Sequence, residues 1–452
     1  MKNSIKIAFR NTLRNKRRTI LSVLTIAMGA IASLLFGGFI SSFYYNVQTQ
    51  IARQSGHIHI HKTNFFKYGV GKTGQFGINN YKNIISTINN SDFSNKINII
   101  TPMVSLSGIA SNSYKNSSQT FIGMGMNASN QEKMQLWDGF NLGNIEVDNT
   151  INAIKNNNAL IGEGLAINLD LCEMLKIEGC LDSKSTLGEI DEDINSFYKN
   201  KQKTNQAIID ILVAPASGAP NVVSVHIQNI WKQGNKNIDD RFIALPLQTA
   251  QILLYGSETK MVNTIVIQLK KAQDSKIIEQ KLEELFKLNN LNLEVIPLSK
   301  FNEQFGKILA MFGFIFGFIS IIITVIVLFT VSNTMSMSVV ERYKEIGTLR
   351  AMGLRRWGIR NYFIIEGTII GFIGASVGLF FAYAISLIIN NSNIMWTSPS
   401  SRDPSVFILY LTQNPMLLVG VWFLLLFTTI LSSVFPANKA SKLPIVDALR
   451  HN

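Results

Sequence analysis

Cysteine and histidine are scarce in this chain, with two of the first (Cys172 and Cys180) and five of the second among 452 residues. That excludes a cysteine-rich disulfide scaffold and a Cys/His zinc framework, both of which need these residues at repeated spacing. Three histidines stand together as His57, His59 and His61; only His226 and His451 remain, so no Ser, His and Asp set for hydrolysis can be assembled. Acidic residues are also few, 29 against 42 Lys and Arg, leaving a net charge of +13. The imbalance is local. Residues 1–19 carry seven Lys or Arg and no acid, residues 339–361 six against two, and residues 437–452 three against one. These stretches account for the whole excess, so the charge argues against a nucleic-acid partner and for placing all three on the inner side of a membrane.

Long apolar runs are what the chain has in abundance. Ile20–Phe43, Ile308–Val331, Tyr362–Ile389 and Met416–Phe435 each reach 20 residues or more, the length of helix that crosses a bilayer core, and Glu366 is the one ionisable residue among them. The first follows Arg14, Lys16, Arg17 and Arg18 but is too long for a signal peptide and lacks a small-residue cleavage site, so it reads as a retained span. The expected fold class is a membrane α-helical protein with four transmembrane helices and a large α+β domain on the outer side, inserted between helices 1 and 2. Its expected divisions are an amphipathic helix at 1–19, spans at 20–43, 308–331, 362–389 and 416–435, an outer domain at 44–307, an inner segment at 332–361, an outer loop at 390–415 and an inner tail at 436–452.

Helical spacing of Tyr44, Val47 and Ile51, and of Phe301, Phe305, Ile308 and Leu309, predicts that the first two spans continue outward as stalks. Between them β-branched runs predict strands at 56–61, 97–110, 119–126, 208–213, 222–230, 241–245 and 262–269, with helices at 81–88, 247–254 and 275–286. Residues 182–203 read as an exposed polar loop. Cys172 and Cys180 fall in this domain and are candidates for a small disulfide loop, two unpaired thiols being the alternative. His57, His59 and His61 share a strand face at steps of about 7 Å; this is a weak metal-site candidate against a plain polar strand face, and no metal or other cofactor is expected. Phe66 to Thr73 comes within one residue of a phosphate-binding loop but has Phe66 where the first glycine is needed. The chain is therefore expected to be non-catalytic.

Gly29, Ser33 and Gly37 in the first span, and Gly367, Gly371, Gly374 and Gly378 in the third, are small-residue stripes for close helix packing, within the chain or between copies. Glu366 lies near the inner end of its span, where it can reach the interface or Arg360; proton coupling is the other reading of an intramembrane acid.

The segment Glu341-Arg342-Tyr343-Lys344-Glu345-Ile346-Gly347-Thr348-Leu349-Arg350-Ala351-Met352-Gly353, followed by Glu366-Gly367, resembles the permease subunits of MacB/LolC/FtsX-type ABC transporters. The resemblance extends to the Leu160-Ile161-Gly162-Glu163-Gly164 phrase, to Asp240 through Gln251, and to Ala440 through Arg450. It implies an outer domain of two subdomains, the second inserted at about 127–254. It also implies a bacterial inner-membrane location with both termini cytoplasmic, two copies of a separate ATPase, and pairing with itself or a paralogous permease. Contact with the ATPase would fall on Glu341, Arg342, Glu345, Ile346, Gly347, Leu349, Arg350 and Gly353. Membrane lipids and a periplasmic carrier are further expected partners. Gly56 to His61 looks most like the lipoprotein-release branch, although the long carrier-recruiting loop of that branch is replaced here by Pro215–Asn221. MacB-like export of peptides or drugs, and FtsX-like control of a cell-wall hydrolase without transport, are the alternatives.

Overall fold

The computed structural model describes residues 16–69, 72–142, 149–151, 154, 158–177, 207–215, 219–257, 260–301, 303–397 and 405–444. The amphipathic helix expected before Lys16, the 182–203 loop, Cys180 and the end of the inner tail lie outside them. In chain order the main elements are α1 (Lys16–Ser55), β1 (Ile58–Lys62), α2 (Tyr81–Asn89), β2 (Ile97–Asn112), β3 (Ser117–Met126), α3 (Ala128–Gln135), β4 (Ala159–Ile161), α4 (Glu163–Asn168), β5 (Ile208–Val213) and β6 (Asn221–Ile230). There follow β7 (Phe242–Pro246), α5 (Leu247–Tyr255), β8 (Thr264–Leu269), α6 (Ser275–Leu288), β9 (Leu293–Pro297), α7 (Glu303–Glu341), α8 (Tyr343–Ala351), α9 (Arg356–Asn391) and α10 (Pro415–Ser441).

The chain divides into two compact units, one of residues 1–46, 304–396 and 406–452, the other of 47–303 with 397–405. In the first, α1, α7, α9 and α10 are long and apolar enough to cross a membrane. Ile26, Ala30 and Leu34 of α1, Val327 and Val331 of α7, Ile370 and Ala375 of α9 and Val421 and Leu425 of α10 form its core. The helices outrun the apolar segments that announce them: α1 has 40 residues and α7 39, about twice what a bilayer core requires. Helix α10 also runs on past Phe435. Pro436 sits inside it, and Pro436, Ala437 and Ala440 are buried, the two alanines packing with Val339, Ile359 and Phe363. Tertiary packing thus carries the helix through a residue that would otherwise end it.

In the second unit, strands meet in the order β2, β8, β1, β9, with α2 and α6 burying Ile84, Ile88, Ile278, Leu282 and Phe286 against Ile58, Ile60, Ile265 and Ile267. The 16-residue β2 is too long for that sheet alone. Its first part, Ile97–Met103, pairs with β8, and its second, Val104–Asn112, pairs with β3. From there the pairing runs β3 to β7, β7 to β4, β4 to β6, β6 to β5 and β5 back to β2, closing a six-stranded ring. The inserted piece expected at about 127–254 therefore begins earlier, at Val104 within β2. Closure leaves no free edge in the ring, which is how an all-strand layer avoids offering unpaired backbone to other chains. β4 was not foreseen as a strand: its three residues, Ala159, Leu160 and Ile161, are too few to show a period.

Candidate functional site

Between α7 and α9, on the side where the chain is richest in arginine, stands the nine-residue helix α8. Arg342 precedes it with a non-helical backbone, and Gly353 ends it at φ +94°. The amide of Leu354 bonds to the carbonyl of Leu349 at 3.0 Å and that of Gly353 to Arg350 at 3.0 Å, a double closure that requires a left-handed residue and so a glycine at 353. One face of α8 buries Ile346 and Gly347; Ile346 packs with Val339, Ile359, Phe363, Ala437 and Ala440.

Three basic residues fasten this turn to three different helices. Arg18 of α1 forms an ion pair with Glu341 at the end of α7. Arg342 donates to Glu366 of α9 across 3.3 Å, with side chains only 6% and 5% exposed. Arg350 donates to the carbonyl of Leu443, just beyond α10, at 2.6 Å. Glu366 is therefore paired with Arg342, 24 positions earlier in the chain, and not with Arg360.

Burial divides the residues expected to meet an ATPase. Glu341, Glu345, Leu349 and Gly353 are exposed, Arg350 is half-buried, and Arg342, Ile346 and Gly347 are buried and face the bundle, which removes them as direct contacts. Met352, Leu354 and Trp357, not foreseen, are exposed beside Leu349 at 71%, 42% and 65%. They are exposed apolar residues in a segment that also exposes Lys344, Arg355 and Arg356, and the signal for them in the sequence was three large apolar residues inside an otherwise polar loop.

The small-residue stripes lie inside the bundle. A side chain at Gly29 would meet Ile323 of α7, at Gly37 Leu417 of α10, at Gly367 and Gly371 Ser433 and Thr429 of α10, and at Gly374 and Gly378 Ile26 and Ala30 of α1. Ser33 is buried beside them.

His57, His59 and His61 do not lie on an exposed face. The face of β1 opposite Ile58 and Ile60 is covered by α3 and by residues 52–55 of α1, and all three imidazoles are under 8% exposed. His57 accepts from the Leu269 amide at 3.1 Å and lies against Trp137, His59 bonds the Ser55 carbonyl at 2.7 Å, and His61 bonds the Asn263 carbonyl at 2.9 Å and stacks on Phe65. Desolvation lowers the pKa of His57 and His59 to about 4; burial first, and then the nearby His59, lower that of His61 to about 3. Among the described residues no group of three His, Cys, Asp or Glu comes together to hold a metal ion. On either side of Val70 and Gly71, which lie outside the described residues, Phe65–Gly69 and Thr73–Phe76 each form a single turn. Cys172 is disulfide-bonded.

Residues 304–445 match the FtsX-like permease C-terminal family. With its long apolar helices this makes the chain a multi-pass membrane protein. Among curated relatives it is 24% identical to an uncharacterised ABC transporter permease of Methanocaldococcus jannaschii over half of this chain and 54% of that one. It is 25% identical to the macrolide export ATP-binding/permease protein MacB of Bdellovibrio bacteriovorus over 48% and 32%, and 33% identical to the ABC transporter permease YtrF of Bacillus subtilis over 26% and 28%. The chain spans about half or less of the length of these relatives. Residues 304–445 thus resemble the FtsX-like permease domain, and the relatives are ABC transporter permeases of the MacB and YtrF kind.

Proposed function

We propose that this chain is the membrane subunit of an ABC transporter of the bacterial inner membrane, with α8 inside and residues 47–303 outside. A separate ATPase docks on α8, and ATP-driven closure of its two copies moves that helix. The observation that carries this reading is the triple fastening of the α7–α8 turn: Arg18–Glu341 at the end of α7, Arg342–Glu366 at the break and Arg350–Leu443 from α8 tie this segment to α1, α9 and the chain beyond α10. α1 runs to Ser55 and is followed in the chain by the strand that begins at Ile58, so the covalent route from the membrane unit to residues 47–303 passes along it. The docking surface is the Leu349, Met352, Leu354 and Trp357 patch with Glu345 and the flanking arginines, an apolar centre with a charged rim. A second permease subunit packs on α7, which buries only 11% of its apolar window and has open space at Gly306, Gly313 and Gly317.

The outer domain expels or hands on a cargo. The MacB relatives and the short connection between β5 and β6 favour export of a peptide or small amphiphile; lipoprotein release is the second reading, supported by the Gly56–His61 phrase. Two measurements test these claims. Met352→Asp and Trp357→Ala in the reconstituted complex are expected to abolish stimulation of the ATPase; undiminished stimulation would sink the docking assignment. Depletion in the native cell followed by membrane fractionation separates the cargoes, since lipoproteins accumulating in the inner membrane would replace export with release.

A further inference from the structure

The chain leaves α7 at Glu341 and enters α8 at Tyr343, with the single residue Arg342 off the helical path at φ −109° and ψ 22°. The hydrogen-bond ladder crosses this point by a tightened bond from the Arg342 amide to Val339 at 3.2 Å and resumes with Ile346 to Arg342 at 2.9 Å. Nothing in the local sequence explains the interruption. Ser338-Val339-Val340-Glu341-Arg342-Tyr343-Lys344-Glu345 holds neither Gly nor Pro, the residues responsible for most sharp helix breaks, and Glu, Arg and Lys are good helix formers. What distinguishes Arg342 is tertiary. Its guanidinium is turned into the bundle toward Glu366, and Ile346, one turn later, enters the apolar cluster of Val339, Ile359 and Phe363. A cation and a carboxylate this deeply buried are each costly without the other, so the backbone yields at Arg342 to let them meet.

We propose that the Arg342–Glu366 ion pair is the device that separates α8 from α7 and sets the angle of α8. Glu366 is thereby a positioning residue for the docking helix, acting through Arg342 and touching no partner protein. The consequence for coupling rests on the reading of α8 as the ATPase-docking element; the assignment of the break itself does not.

The test places spin labels at Phe329→Cys on α7 and Ala351→Cys on α8 of the full-length protein in lipid nanodiscs, Cys172 being disulfide-bonded and inert to the label. One unbroken helix would separate these positions by about 33 Å, at 1.5 Å per residue, and a broken one brings them closer. The distance is expected to be short with Arg342 and Glu366 intact, to lengthen toward the unbroken value in Glu366→Gln, and to return in the exchanged pair Arg342→Glu with Glu366→Arg. Arg342→Met with Glu366→Met removes both charges without stranding either, so that a poorly folding single variant does not decide the matter. An unchanged distance in this double variant would overturn the proposal. ATPase stimulation is measured on the same samples: a lengthened distance with full stimulation would leave the pair's role standing and remove α8 from the coupling route instead.

Discussion

Arg342 Nη1 lies 3.3 Å from Glu366 Oε2, with both side chains almost wholly buried between the end of α7 and the first turns of α9. Removing one member strands the other in an apolar setting, so Arg342→Ala or Glu366→Ala is expected to destabilise the membrane unit by roughly 3–5 kcal/mol. The double change to methionine is expected to be close to neutral. Thermal unfolding of the detergent-solubilised protein reads both, and equal losses in the single and double variants would show that the two side chains do not depend on each other.

Close packing between α9 and the rest of the bundle makes the glycines of that helix unequal to those of α7. Gly371→Leu drives a side chain into Thr429 and is expected to cost about 1–3 kcal/mol or more. At Gly317 an added Cβ would meet nothing within 4 Å among the described residues, so Gly317→Leu is expected to leave unfolding unchanged while weakening association between copies. Analytical ultracentrifugation alongside thermal unfolding separates the two effects.

The three imidazoles of the outer domain give stability a definite pH dependence. Their folded-state pKa values, about 4 for His57 and His59 and about 3 for His61, lie below the ordinary 6.5, so between these values the unfolded chain binds protons that the folded chain refuses. Their contribution is complete above pH 6.5 and is lost as the pH falls toward 4, on the order of 2 kcal/mol for each imidazole by pH 5. His57→Gln is expected to flatten this slope by about a third. Amide exchange in β1 across pH 5 to 7.5 is the measurement, and an unchanged slope in the variant would contradict the assignment.

Arg350 holds the end of α8 to the chain beyond α10 through the carbonyl of Leu443. Arg350→Ala is expected to lower ATPase stimulation more than ATPase binding, because it cuts a tether without altering the exposed patch. Trp357→Ala, which alters the patch itself, should lose binding and stimulation together. Titration of the ATPase against nanodisc-held permease distinguishes them through the midpoint and the plateau.

The long apolar segments, the basic stretches and the β-branched runs were readable because each rests on composition over ten or twenty neighbouring residues. The observed β5 at Ile208–Val213 coincides with the stretch read from its β-branched residues alone. The site was readable only in part. Glu345, Leu349 and Gly353 stand exposed where the segment's charge and glycine placed them, whereas Arg342 looked like any other surface arginine until its partner 24 positions away was known.

By itself the sequence determined which segments are apolar enough to enter a bilayer, which stretches carry the basic excess, and where strands and helices alternate, since these follow from hydrophobic period and charge along the chain. Tertiary structure alone decided that β2 serves both a sheet and a closed ring, that His57, His59 and His61 are buried and uncharged, and that the glycine stripes pack within the bundle. It also decided that Arg342 turns inward to Glu366. Each of these depends on which distant surface covers a residue, and no local pattern records that.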